Sequence, residues 1–248
     1  MRGYVFIIVG AVGIALAFLS FRGSSTNVAA PAPIRSLHPH VYDNPSESIS
    51  DIHITVVYFV PRDMVPVSSE QWMIPIEKEL VQLQKFHTSQ FRGSSRITYV
   101  LHPTPIRGEK PRSAYDIDDL RHNDPEMLRP VLDEAMSAAG YSLNAGPPYH
   151  VLFVLYEGAG AGGATHVGLL SRSFFERADT RTAAGTFLAH EFYHTLGVPD
   201  AYQTVPKVFS DGTEFGVELL KSRDIMGRVR IPLEETYLDP VVLTAMGL

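Results

Sequence analysis

The chain contains no cysteine. That excludes disulfides and thiolate metal ligands, although it leaves the compartment open. There is no cluster of Lys and Arg either, and the formal net charge of −6 argues against nucleic acid as a partner. The glycine-rich run Gly158-Ala159-Gly160-Ala161-Gly162-Gly163 lacks the Lys-Ser or Lys-Thr of a phosphate-cradling loop. A strand-like run, Thr165 to Ser171, follows it where a helix would be needed, so a flexible rim to a cleft is the better reading. The acids Asp116, Asp118 and Asp119 lack the Gly and Glu of an EF-hand loop and read as a solvated loop or helix cap. What is present is 248 residues with 45% hydrophobic content, enough to bury a core and simplest as one domain.

The chain is organised around His190-Glu191-Phe192-Tyr193-His194-Thr195-Leu196-Gly197-Val198-Pro199-Asp200. On a helix, two histidines at i and i+4 lie about 40° apart and one turn along the axis, so both imidazoles reach one ion. Glu191 points about 100° from His190, where it can reach a metal-bound water rather than the metal. Gly197 tolerates the left-handed conformation that ends a helix, and Pro199 cannot continue one. Asp200 can then supply a third, oxygen ligand, and three ligands with an open fourth position describe a catalytic Zn2+ site. His190, His194 and Asp200 are the candidate ligands and Glu191 the candidate general base.

Two alternatives stay open at this point. In one, the third ligand is a Glu from a later helix, with Glu214 or Glu218 at a plausible distance. In the other, the chain is a cell-surface binding module with a vestigial or structural metal site. Glu191, which a structural site would not need, speaks against the second.

H-E-x-x-H-x-x-G-x-x-D resembles the metzincin clan of zinc peptidases, in the branch whose third ligand is Asp. The run Leu196 to Tyr202, L-G-V-P-D-A-Y, is similar to the snapalysin and immune-inhibitor-A types of secreted bacterial peptidase. Asp224-Ile225-Met226-Gly227 resembles their Met-turn, with Met226 as an apolar floor under the metal. The match is confined to residues 187–228, and it departs at Arg228, where several members carry a Tyr that helps hold the reaction intermediate.

The resemblance implies a zinc endopeptidase acting on peptides or proteins, working as a monomer. It implies an α/β fold, with a twisted, mostly parallel sheet packed on long helices. It also implies a strand bordering the cleft just before the site helix, which takes the substrate as a further strand. By order along the chain, His166 to Leu170 is the candidate, with His166 as a cleft-edge residue rather than a ligand. Tyr193 or Tyr202 is the candidate oxyanion donor. The absence of cysteine excludes a cysteine-switch latency mechanism.

Residues Tyr4 to Phe21 form an 18-residue run without a charge, long enough to cross a bilayer, between Arg2 and Arg22. It reads as an export signal, with residues 1–22 as an uncleaved membrane anchor and the catalytic domain outside. The small residues Val28-Ala29-Ala30 keep cleavage and secretion open. Residues 23–50 read as a tether, rich in Ser, Pro, Ala and Asn, and 51–248 as the folded domain. Within it the patterning predicts strands over 52–60, 96–102, 149–156 and 165–171, and a helix over 70–91 with Pro75 near its first turn. A polar loop is expected over 103–123, and a helix over 125–139 between an Asp124 cap and Gly140. The site helix is expected over 180–196, capped by Asp179 or Thr180. A hairpin is expected over 207–220, and a closing helix over 233–246 broken or bent near Pro240.

Overall fold

The computed structural model describes residues 37–116, 129–141, 147–201, 203–204, 217–218, 223–227 and 230–248. The apolar run 4–21, most of the expected tether, Asp118, Asp119, Asp124, Tyr202, Glu214, Arg228 and the turn 210–213 lie outside them. Among the described residues no helix is long and apolar enough to cross a membrane.

The chain enters through a small hairpin, β1 (His40–Val41) and β2 (Asn44–Ser48), which pair antiparallel. This is a departure from the sequence reading, which put residues up to 50 in the tether. Val41 and Ile49 are fully buried, and the Tyr42 amide donates to the Leu196 carbonyl at 2.9 Å. The His40 amide donates to the Met246 carbonyl at 3.0 Å, so two apolar side chains and two main-chain bonds tie this polar segment to the folded body.

β3 (Asp51–Val60) is followed by helix α1 (Ser69–Gln90) and then by β4 (Arg96–Leu101) and β5 (Ile106–Arg107). α2 (Arg129–Ala139), β6 (Tyr149–Tyr156), β7 (Ala161–Ala164), β8 (Val167–Ser171) and α3 (Ala184–His194) come next. The main sheet runs β4-β3-β6-β8-β7, with β5 beside β3 beyond β4. Every pair is parallel except β7 with β8. This is the expected α/β architecture, a mostly parallel sheet packed with helices.

The central strands are apolar and buried over Val56–Val60 and Val151–Tyr156, where both of their faces are covered. Ile52, Ile54 and Val56 alternate with Val57 and Phe59: the first set packs with α1 and α3, the second with α2. α1 begins earlier than Pro75. Ser68 accepts from the Gln71 amide and the Gln71 side chain accepts from the Ser68 amide, a capping box that starts the helix a turn and a half before the proline. Pro75 sits inside, where it removes one main-chain donor. α2 ends at Gly140, with φ of +61°, as expected.

After the site, β9 (Gln203–Thr204) and β10 (Val217–Glu218) pair antiparallel, which places Glu218 on a strand pair opposite Gln203. The closing segment is broken at the proline: Leu233–Glu235 forms a short 3-10 turn, and α4 (Pro240–Ala245) starts at Pro240. Its cap is Asp239, whose side chain accepts from the Val241 amide at 2.7 Å.

Candidate metal centre

α3 is held from behind. Leu188 and Phe192 are fully buried, and Ala184 nearly so. Tyr193, also fully buried, turns about 100° away from His194 and faces α1. There a directed chain of hydrogen bonds runs through the core. Ser95 donates to the Ile49 carbonyl, so its oxygen accepts from His87 Nε2 at 2.7 Å. His87 Nδ1 is thereby left to accept from the Tyr193 hydroxyl at 3.4 Å. Burial depresses His87 to about 3, so it stays neutral.

Expected capping at the helix start does not occur. A 3-10 turn, Arg181–Ala183, leads into α3, the N-cap position is Ala183, and the Thr180 hydroxyl donates instead to the Phe174 carbonyl at 3.0 Å. The helix end is as expected: Gly197 has φ of +80°, and its amide donates to the His194 carbonyl at 3.0 Å.

On the front of α3, three atoms converge. His190 Nε2 and His194 Nε2 are 3.2 Å apart, and Asp200 Oδ1 lies 3.2 and 3.3 Å from them. Each imidazole turns its other nitrogen to a carbonyl: His190 Nδ1 to Ile225 O at 2.9 Å, His194 Nδ1 to Val198 O at 2.8 Å. A carbonyl only accepts, so both Nδ1 atoms carry protons and both Nε2 atoms of the neutral rings present lone pairs. Three acceptors thus face one another across a site where they repel unless a cation sits between them. In a tetrahedron with bonds of ~2.0–2.1 Å the ligand atoms stand about 3.3 Å apart, the spacing found here.

A proton held between His190 and Asp200 can take the cation's place. Burial alone would depress His190, but its hydrogen bond to Asp200 and the charge of Glu191 outweigh that and push it up to about 9. Burial would raise the Asp200 carboxyl, yet the two imidazoles hold it well below the usual carboxylate range. The donor set therefore fits a divalent cation that takes nitrogen and oxygen ligands. Glu191, 7% exposed, brings a carboxylate oxygen within 4.8 Å of a nitrogen of each histidine.

The floor is the turn Ile225–Gly227, with Met226 fully buried. The Met226 carbonyl accepts from the Ala201 amide at 3.0 Å, which holds the residue after Asp200, while the Ile225 carbonyl holds His190. One turn thereby supports His190 directly and Asp200 through its neighbour, two of the three candidate ligands. Met226 was legible from its motif; the two carbonyls carry no sequence signal.

β7, not β8, forms the sheet edge next to α3, because β8 lies between β6 and β7. The stretch His166 to Leu170 is therefore not the exposed border. His166 stands at the turn between the two strands with φ of +70°, stacked on Tyr149 at 4.3 Å. Its Nδ1 donates to His150 O at 2.8 Å, its Nε2 lies 3.3 Å from a Glu47 oxygen, and its amide donates to Thr195 O. It thus braces the end of the site helix instead of lining the cleft.

The glycine-rich rim is tied down rather than loose. Asp116 accepts from the Ala159 amide at 3.2 Å, and the Ser171 amide donates to Gly160 O at 2.8 Å. Asp116 also pairs with Arg112, so it is a structural acceptor and not a solvated loop acid. Tyr193, buried on the back of α3, is not placed to meet a substrate.

No family model matches the chain, and no curated protein does. Among solved structures, wild-type OgpA from Akkermansia muciniphila is similar at 18% identity, over 77% of this chain and 58% of that one, with a TM-score of 0.42. Catalytically inactive OgpA in complex with an O-glycopeptide substrate, glycodrosocin, is similar at 16% identity over the same shares, with a TM-score of 0.44. The chain spans less than two thirds of OgpA. A likeness of that degree leaves the function to be argued from this chain's own residues.

Proposed function

We propose that the chain is a zinc-dependent endopeptidase of the metzincin kind, with His190, His194 and Asp200 as ligands and Glu191 as general base. One observation carries the reading: three lone-pair atoms meet at 3.2–3.3 Å on rings whose other nitrogens are already committed. Bound zinc supplies Lewis acidity, polarising a scissile carbonyl and making water acidic near neutral pH.

The chain's residues do the rest. The edge of β7 offers main-chain groups to an extended peptide, which pairs as a further strand and is held in register beside α3. Glu191 takes the proton of the attacking water on its carboxylate and returns it to the leaving amine. Burial of that carboxylate, with the ligand histidines held by carbonyls, keeps base and ligands in fixed positions.

Placing Glu218 on a strand pair supports Asp200 over a Glu from a later helix. The test of function is Glu191→Gln. It should keep about one zinc per chain, since Glu191 is no ligand, and lose at least about 100-fold in casein hydrolysis. Full activity in the zinc-replete variant would remove Glu191 from the mechanism, and a wild-type chain that binds zinc without cleaving any peptide would favour a binding module.

A further inference from the structure

Gly163 on β7 and Gly168 on β8 stand directly opposite each other, and both face α3. What a side chain would meet differs between them. A methyl group on Gly163 would come within 2.5 Å of the Glu191 carbonyl and 2.7 Å of His194 Cβ. On Gly168 it would meet the Phe153 ring at 2.8 Å and the Thr195 methyl at 3.2 Å. The nearest neighbours of a side chain at Gly163 are thus the backbone of the candidate base and the stem of a candidate ligand, whereas at Gly168 they are Phe153 and Thr195.

We propose that Gly163 is a positioning residue: the missing side chain sets the distance from the sheet edge to Glu191 and His194. The proposal rests on the peptidase reading. A peptide laid on β7 is fixed to the strand, whereas the base and the ligands are fixed to α3. Direct contact between the two backbones at Gly163 gives them one frame. A gap under 3 Å between non-bonded heavy atoms cannot be kept, so any side chain at 163 must push strand and helix apart. Displacement of that order misplaces the scissile bond against the base without abolishing strand pairing.

Gly163→Ala and Gly168→Ala should be compared as folded, metal-loaded proteins. For Gly163→Ala, kcat should fall at least about tenfold with KM within about threefold. Its cobalt-substituted form should show a shifted visible absorption band, because His194 moves. Gly168→Ala should lower Tm as much or more, through Phe153, yet keep kcat within about threefold and the cobalt band unchanged. A folded Gly163→Ala with wild-type kcat and an unchanged band overturns the proposal. So does an equal loss of kcat in both variants.

The cobalt band separates this failure from failure of the peptidase reading, because it reports His194 even in a chain that cleaves nothing. Should Gly163→Ala yield no folded protein, the unsubstituted chain gives the answer. A nuclear Overhauser contact from Gly163 Hα to His194 Hβ is expected, and its absence overturns the proposal.

Discussion

Behind α3 lies His87, fully buried; in front lies His190, 9% exposed and so nearly as dry. Their charge states diverge because their partners do. His87 has hydroxyl groups from Ser95 and Tyr193, and burial alone decides, pressing it down to about 3. His190 suffers the same burial but faces Asp200 and Glu191, and it rises to about 9. Burial makes a histidine neutral; a carboxylate within reach lets it hold a positive charge, its own proton or a bound cation. The difference between core and candidate ligand is thus carried by the acids beside the ring.

Removing the front acid should have the largest effect. Asp200→Ala is expected to lose zinc to a mild chelator at least about 100-fold faster than wild type, whereas Glu218→Ala should match wild type. Stopped-flow release into a zinc indicator reads this. The reverse order would move the third ligand to β10.

The back histidine should act on stability instead. An unfolded His87 takes up a proton below its ordinary value of 6.5, while the folded one resists until about 3. Its contribution is therefore complete above pH 6.5 and is lost as the pH falls towards 3. In zinc-free protein, stability should drop by about 2 kcal/mol more in wild type than in His87→Gln between pH 7 and pH 5. Urea midpoints at the two pH values test it, and equal slopes would mean that His87 is charged or exposed.

Tyr193→Phe should have the smallest effect, about 1 kcal/mol of stability from one buried hydrogen bond. Its kcat should stay within about threefold. A hundredfold loss on peptide substrates would return the tyrosine to the oxyanion role that its burial denies.

The centre was legible in sequence because its geometry is local. Two histidines one helical turn apart, a glycine and a proline bring Asp200 back within eleven residues, and the distant turn at Ile225–Gly227 adds support to that local arrangement. The strands 52–60 and 149–156 were legible for a similar reason: over 56–60 and 151–156, where both faces are covered, they read as unbroken apolar runs.

Other features depend on contacts far along the chain. β2 reads Asn-Pro-Ser-Glu-Ser and is mostly exposed, so nothing in it marks a strand until Val41 and Ile49 find the core. β7 reads Ala-Gly-Gly-Ala, which has no β-propensity; the close approach of α3 selects those small residues. The direction of Tyr193 could have been found from its angle to His194 around the helix. The support of His190 by the Ile225 carbonyl could not, since every residue has a carbonyl.

The most direct measurement is a crystal of the zinc-loaded chain, with anomalous differences collected on both sides of the zinc absorption edge. The account predicts one strong peak about 2.0–2.2 Å from His190 Nε2, His194 Nε2 and Asp200 Oδ1, with Glu191 outside bonding distance. A peak bound through Glu191 or Glu218 in place of Asp200, or no peak between the two histidines, would contradict it.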